Sequence, residues 1–280
     1  MKEKIGVAII TCNRFEYFKT CIESLQKCQI DCLVVVNDGK PYENQELLNC
    51  HVIQHTTNTG VAVAKNDGLK YLIDNECTHL FLIEDDMEIL NPEVFNEYIK
   101  AAKVSGILHL NYGPGSPFNR KQNIKNFDLH NRHLLSETSE VNPKAYIEYP
   151  NNVLIALYEH TVGMFTYYHK KVIDVIGYIP TCFDNCWEHV SHTQDAIKHR
   201  FHPPFWWFAD ISHSEHYLAP QKNAINNSSI AEKKDDWMKK VMNGREIYKQ
   251  KHGVYPNENK QTDLSEVTKT LKTIKQFNAY

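Results

Sequence analysis

No run of the sequence approaches the eighteen or so apolar residues of a membrane-spanning helix, so no helical span is expected. Excess positive charge is missing too: 31 Lys and Arg face 34 Asp and Glu, a formal net charge of −3. A nucleic-acid partner normally requires a basic footprint and is therefore not expected. The eight cysteines (Cys12, Cys21, Cys28, Cys32, Cys50, Cys77, Cys182, Cys186) lack the pattern of a small disulfide scaffold. Zinc signatures are absent as well, with no HExxH and no paired-Cys motif with matching histidines. The spacings Cys28/Cys32 and Cys182/Cys186 fit one helical turn as readily as a metal site. The opening MKEKIGVAIITCNR has neither an apolar h-region nor a small-residue cleavage site. A reduced, cytoplasmic protein is the expectation. Internal repeats and low-complexity tracts are also lacking.

What is there alternates between two kinds of segment. KIGVAIITCNR and DCLVVVNDG contain short apolar runs suited to strands buried on both faces. Between them, Phe15, Phe18, Ile22 and Leu25 recur at helical spacing. NTGVAVAKNDGLKYLIDN reads as a glycine-bearing turn followed by a helix, HLFLIEDD as the next strand, and NPEVFNEYIKAAKVSG as the next helix. In that last helix Asn91 is the expected N-cap, Pro92 the first helical residue and Gly106 the stop. Strands alternating with helices imply an α/β architecture with a mostly parallel sheet. Ligands of such sheets bind beyond the carboxyl ends of the strands.

Beyond residue 112 the periodicity weakens. Residues 118–145 read as long loops or a small hairpin insertion, then VLIALY, TVGMFTYYHKKVIDVIGYI and PPFWWFADI read as strands with one short helix. Two helical stretches, AEKKDDWMKKVMNGREIYKQKHG and LSEVTKTLKTIKQF, close the chain.

The strand HLFLIEDD ends in Glu84, Asp85 and Asp86. Adjacent carboxylates at the mouth of a core element repel one another and resist burial. They suit a hard divalent cation such as Mg²⁺ or Mn²⁺, a sugar hydroxyl, or open water. On the same sheet edge fall Asp38, able to accept an imide or ribose donor, Gly60, where backbone can approach a ligand closely, and Lys65, a charge for phosphate. Each has a plain alternative as a turn glycine, a solvated acid or a solvated lysine; together on one edge they favour a ligand site.

In order and spacing, VAIITCNRFEYFKTCIESL, VVVNDG, NTGVAVAKNDGL and FLIEDDMEI resemble the nucleotide-binding half of GT-A glycosyltransferases, closest to family 2. The resemblance implies a Rossmann-like nucleotide-sugar-binding half over 1–112, an acceptor half over 113–230 and a C-terminal helical extension over 231–280. It implies that Thr11, Asn13 and Arg14 line the nucleotide pocket and that Asp38 meets the base. Asn58, Gly60 and Lys65 would flank base and diphosphate, Glu84 and Asp85 would lie near ribose and donor sugar, and Asp86 would hold Mn²⁺ or Mg²⁺. Two positions depart: the family usually has Asp at Glu84 and often Arg at Lys65, and a lysine cannot make a bidentate clamp.

GMFTYYHKKVIDVIGYIPTCFDNCWEHVSHTQDAI resembles the family's acceptor side, where a carboxylate of an acidic pair opening a helix takes the acceptor's proton. Here the pair is Glu188-His189. A histidine titrates in the right range for a general base, whereas a glutamate needs partial desolvation; Asp195 is a third candidate. The plain alternative has Glu188 complementing the helix dipole and His189 on the surface. Many GT-A enzymes complete the metal site with a late histidine; His213 takes that place, with His216 its competitor. Trp187, Trp206 and Trp207 are candidates for stacking on apolar sugar faces, with one of the latter two expected in the core if FWWFAD is a strand. The stripe Leu264, Val267, Leu271, Ile274 and Phe277 fits docking onto the domain or a homodimer partner, with peripheral association with anionic lipid a weaker reading.

The resemblance thus implies a metal-dependent, inverting transfer of a hexosyl or N-acetylhexosaminyl group from a nucleotide-sugar donor, by analogy a UDP-sugar, to a glycan or glycolipid acceptor. Two alternatives stand beside it. A nucleotidyltransferase lacks support because TCNRFEYF, not a glycine- and arginine-rich loop, follows the first strand. A silent glycan-binding module is kept open by the Glu188-His189 departure.

Overall fold

Val7 to Ile10 are buried on both faces, so a continuous apolar run forms a central strand rather than an alternating edge. In the computed structural model, which describes residues 3–43, 50–121, 140–183, 186–222 and 234–278, this run is β1 (Ile5–Thr11). β1 pairs in parallel with β2 (Cys32–Asn37) and β4 (His79–Glu84), placing Thr11 opposite Asn37 and Ile10 opposite Glu84. β3 (His51–Gln54) continues the parallel part beside β2. β9 (Phe165–His169) runs antiparallel to β4, and β6 (His109–Asn111) antiparallel to β9, giving the order β3-β2-β1-β4-β9-β6.

Alternate residues of β1 serve opposite layers. Val7 and Ile9 pack with Phe18 of α1 (Phe15–Ser24) and with Phe95 and Tyr98 of α3 (Val94–Ser105). Ala8 and Ile10 share the other layer with Ala64, Leu69 and Leu72 of α2 (Val61–Asp74) and Val172 of α4 (Lys170–Ile176). A three-stranded antiparallel sheet, order β10-β8-β7, is built from β7 (Ala145–Tyr149), β8 (Val153–Tyr158) and β10 (Phe208–Ile211). β5 (Met87–Ile89) and β11 (Leu218–Pro220) form a separate antiparallel pair. Three further helices are α5 (Glu188–Lys198), α6 (Lys234–His252) and α7 (Leu264–Asn278).

Two local expectations change. α3 starts at Val94, not at Pro92: the Asn91 side chain accepts from Glu93 N at 3.0 Å and its carbonyl from Val94 N at 3.2 Å, so the asparagine closes a turn ahead of the helix. Gly106 does end it, at φ 75°, with its N–H on Ala102 O. FWWFAD is not one strand, because Trp206 at φ 71° breaks the extended run and β10 begins at Phe208. Trp207 is nonetheless a core residue. Residues 122–139, most of the polar 118–145 stretch, lie outside the described residues.

The C-terminal stripe docks onto its own domain. Val267, Leu271 and Ile274 join the core cluster that contains α3, while Leu264 and Phe277 stay exposed. Burying three such side chains contributes roughly 5–9 kcal/mol before ordering entropy is subtracted. The close fit is set at Gly106, where a Cβ would stand 2.8 Å from Lys275 Cα. Among the described residues no helix is long and apolar enough to cross a membrane.

Candidate active site

The parallel register brings the carboxyl ends of β1, β2 and β4 to one edge. There a cleft of about 680 Å³ opens, of the size that takes a small-molecule ligand. Thr11, Arg14, Asp38, Asn58 and Glu84 to Asp86 line it together with Gly163, Trp187, Glu188, His189 and Trp206. Trp237 and Val241 of α6 and Pro256 and Asn257 beyond it add to the rim, so the C-terminal segment is part of the cleft rather than an appendage.

The three acids have three different environments. Glu84 accepts from Lys65 Nζ at 2.7 Å. Asp85 accepts from Thr11 Oγ1 at 2.7 Å and pairs with the Arg14 guanidinium. Asp86 Oδ2 accepts from Arg14 Nη1 at 3.1 Å, but Asp86 Oδ1 is buried with no hydrogen-bond partner. Burial, reinforced by Glu84 and only partly offset by Arg14, pushes the Asp86 carboxyl up to about 7. Burial raises Asp85 as well, against the pull of Arg14. A hydroxyl relay orders this corner: Arg14 N donates to Tyr42 OH at 3.1 Å, and Tyr42 OH meets Thr11 Oγ1 at 2.7 Å.

Lys65 is not where the resemblance implied. Its side chain is 2% exposed, beneath the cleft, and Nζ donates to Glu84 and, at 3.0 Å, to Gly163 O. It also stands 3.6 Å from Glu188 Oε1. The ammonium thus bridges Glu84 and Glu188 and is not part of the cleft lining. Burial opposes its charge, but Glu84 and Glu188 outweigh that and raise its pKa.

Glu188 is the first residue of α5, and Oε1 faces His189 Nδ1 at 3.3 Å. Its Oε2 is buried with no hydrogen-bond partner. Burial alone would raise this carboxyl; His189 and Lys65 overcome it and hold the group down at about 2. Gly163 makes room for the cluster, since a Cβ there would lie 2.8 Å from Lys65 Nζ and 3.3 Å from His189 Nδ1. Asp195, the third base candidate, is instead paired with Lys251, and Lys198 lies 3.6 Å away.

Asp38 borders the cleft with both oxygens engaged. Oδ1 accepts from Thr59 N and Thr59 Oγ1, each at 2.7 Å, and meets His55 Nδ1 at 2.7 Å; Oδ2 accepts from Gly60 N at 2.9 Å. Burial resists its charge, but these bonds prevail and lower its pKa. Its role is to fasten the turn that starts α2, where Gly60 adopts φ 93°. Asn58 Nδ2 reaches Asp38 O at 3.2 Å, and Asn13, at φ 56°, accepts from Lys40 N at 2.8 Å, which fastens neighbouring turns.

His213 does not reach the acids. β11 runs antiparallel to β5, so Gln221 N donates to Asp86 O at 2.8 Å, while Leu90 N and Asn91 N donate to Tyr217 O at the opposite end. His213 and His216 precede that far end and lie outside the cleft lining. Gln221, Tyr42, His55 and Thr59 were missed in the sequence because each acts through a partner distant in the chain. Gly163 left a trace, as the glycine opening TVGMFTYYH.

The sequence model of glycosyl transferase family 2 matches residues 6–177. The chain belongs to this family. It is a glycosyltransferase of the GT-A fold, as the alternating elements and the resemblance implied. Residues 1–349 of S. aureus TarS in complex with UDP-GlcNAc are 15% identical and superpose over 97% of this chain and 71% of that one, with a TM-score of 0.53. The same protein in complex with UDP gives 15% identity, 94% and 76% coverage, and a TM-score of 0.50. At this identity the likeness is one of fold. No curated protein sequence matches the chain. Membership sets aside the nucleotidyltransferase alternative for this glycosyltransferase.

Proposed function

We propose that this glycosyltransferase moves a hexosyl or N-acetylhexosaminyl group from a UDP-sugar to a hydroxyl of a glycan or glycolipid, with inversion, on the cytoplasmic side. One observation carries the reading: two buried carboxylate oxygens without partners, Asp86 Oδ1 and Glu188 Oε2, belong to the same cleft. A buried unpaired acceptor is costly and calls for a cation or a donor hydroxyl. The TarS complexes with UDP and with UDP-GlcNAc favour uridine among the nucleotides.

The residues present fit a divalent cation. Asp86 offers a free hard oxygen beside two further carboxylates, a donor set suited to Mn²⁺ or Mg²⁺. When bound, such an ion would neutralise charge building on the leaving diphosphate. Asp86 would hold it, with Arg14 orienting that carboxylate. Glu84 and Asp85 would face the ribose and donor sugar.

Glu188 is ionised at any working pH because its carboxyl is held at about 2. It therefore accepts the acceptor's O–H throughout binding. That hydroxyl becomes acidic only as its oxygen bonds to the anomeric carbon and the bond to the diphosphate breaks. Its proton then passes to Glu188 Oε2, and the electron pair of the broken bond leaves with UDP. His189 positions the carboxylate through Oε1. Attack on the face of the anomeric carbon away from the leaving diphosphate would invert that centre.

Calorimetric titration with UDP, with and without Mn²⁺, tests this reading. Expected are metal-dependent binding to the wild type, its loss in Asp86→Ala, and its retention in Glu188→Gln, which would however transfer no sugar. If Mn²⁺ leaves UDP affinity of the wild type unchanged, the donor-site assignment fails and the binding-module alternative returns.

A further inference from the structure

The histidines that the resemblance assigned to the catalytic metal lie elsewhere, and together with one acid they form a cluster of their own. We propose that His213, Glu215 and His216 constitute a second cation site, for a transition-metal ion of the zinc class, separate from the Asp86 cleft and independent of the function proposed above.

The backbone brings the three together. Ser214–His216 is a single 3₁₀ turn, with His216 N donating to His213 O at 2.9 Å and Tyr217 N to Ser214 O at 3.0 Å. His213 caps this turn and His216 ends it, and the two imidazoles meet. Their rings stack with centroids 5.4 Å apart and planes within 10°. The turn is rooted in the core: Ser214 Oγ donates to the buried Asp210 at 2.6 Å, and Asp210 is held in turn by Tyr98 OH and Gly113 N. His213 adopts φ 56°, a left-handed conformation uncommon for a side chain of this size. The scaffold is therefore fixed while the imidazole edges stay accessible, the His213 side chain being 57% exposed.

The ligand atoms of all three residues lie within 4.8 Å of one another. Tetrahedral zinc, with bonds of 2.0–2.2 Å, sets its ligands about 3.3–3.6 Å apart. Closing that difference takes side-chain rotation, not backbone movement. The acid is already short of a partner: Glu215 Oε2 is buried without a hydrogen bond, and Oε1 stands 3.8 Å from His213 Nδ1, beyond hydrogen-bond reach. Two imidazoles and a carboxylate select a borderline ion, unlike the all-oxygen set at Asp86. Three protein ligands leave a fourth position to water. An ion here would fasten the link between β10 and β11, the strand that ends beside Asp86.

The test is titration of untagged, metal-stripped full chain with Zn²⁺, and with Co²⁺ for its visible spectrum, in the wild type, in Asp86→Ala, and in Asp86→Ala carrying His213→Ala or His216→Ala. Asp86→Ala should keep one Zn²⁺ equivalent and an intense tetrahedral Co²⁺ spectrum that excess Mg²⁺ does not displace. Each histidine variant should bind about 100-fold more weakly or worse. Zn²⁺ should raise the melting temperature of Asp86→Ala but not of either histidine variant, whose metal-free melting temperatures match the parent's. The proposal is overturned if Asp86→Ala binds no Zn²⁺, or if both histidine variants bind it as Asp86→Ala alone does.

Discussion

Asp86→Asn removes a charge while keeping volume and one hydrogen-bond acceptor, so its effects isolate the cost of ionising this carboxyl. Burial and Glu84 move its pKa from 3.8 to about 7. A group whose folded pKa is raised contributes stability that is full below the unfolded value and is lost as pH rises through the folded value. At pH 8 the wild type has lost that contribution, and the shift corresponds to ~4 kcal/mol in favour of the neutral group. Metal-free Asp86→Asn should therefore be the more stable protein at pH 8, by about 7 °C in melting temperature for a chain of this length. At pH 5 the wild type is largely protonated in the folded state, and the gap should shrink to about 3 °C. Added Mn²⁺ should reverse the order at pH 8, stabilising the wild type and leaving the variant unmoved. Calorimetric scans with EDTA and with Mn²⁺ at both pH values read all of this. If the metal-free variant melts at or below the wild type at pH 8, the carboxyl is not held out of its charged form and the argument for a cation there loses its basis.

Two further substitutions probe the buried ion pairs around Lys65. Lys65→Met leaves Glu84 and Glu188 without their buried cation and should cost about 3–5 kcal/mol in urea unfolding, with UDP affinity in Mn²⁺ little changed; a loss of UDP affinity at wild-type stability would return Lys65 to the diphosphate. Glu188→Gln should cost ~3 kcal/mol at pH 7 but only about 1 kcal/mol at pH 3, because a carboxyl lowered from 4.5 to about 2 contributes stability above pH 4.5 that fades as pH falls through 2; an equal cost at both pH values would refute the depressed pKa.

The parallel half of the fold was legible because strands covered on both faces must be apolar throughout, and Val7–Ile10, Val34–Val36 and Leu80–Ile83 are. Position on the sheet edge followed, since the first polar residue after each run marks where the strand leaves the core. What the sequence could not show is which charge meets which. Lys65 and Glu84 are 19 residues apart, and Lys65 and Gly163 are 98 apart. Their meeting depends on β9 pairing against β4, for which no local signal exists. The direction of β11 decides the fate of His213 in the same way: a parallel return would have carried the histidines toward Asp86, and the antiparallel one carries Gln221 there. The indoles follow the same rule. Trp187, Trp206 and Trp207 each donate Nε1 to a backbone carbonyl of the C-terminal segment, at Val241, Asn259 and Thr262. They hold that segment on the cleft rim, a role invisible from their own neighbourhood in sequence.

The acid triplet at the end of β4 can then be understood through its charge balance. Glu84, Asp85, Asp86 and Glu188 are four carboxylates; among the described residues Arg14 and Lys65 are the arginine and lysine paired with them, and His189 stands beside Glu188. With all four carboxylates ionised and His189 neutral, the cluster carries a surplus of two negative charges in a place where burial magnifies repulsion. The raised pKa of Asp86 is this surplus relieved in part by a proton. A nucleoside diphosphate approaching the same cleft brings more negative charge and would be repelled. A divalent cation held by Asp86 would remove the surplus, take the place of that proton and let the cleft receive an anionic donor. On the proposed function, three adjacent acids are tolerated because two are neutralised from within the chain and a cation would answer the third.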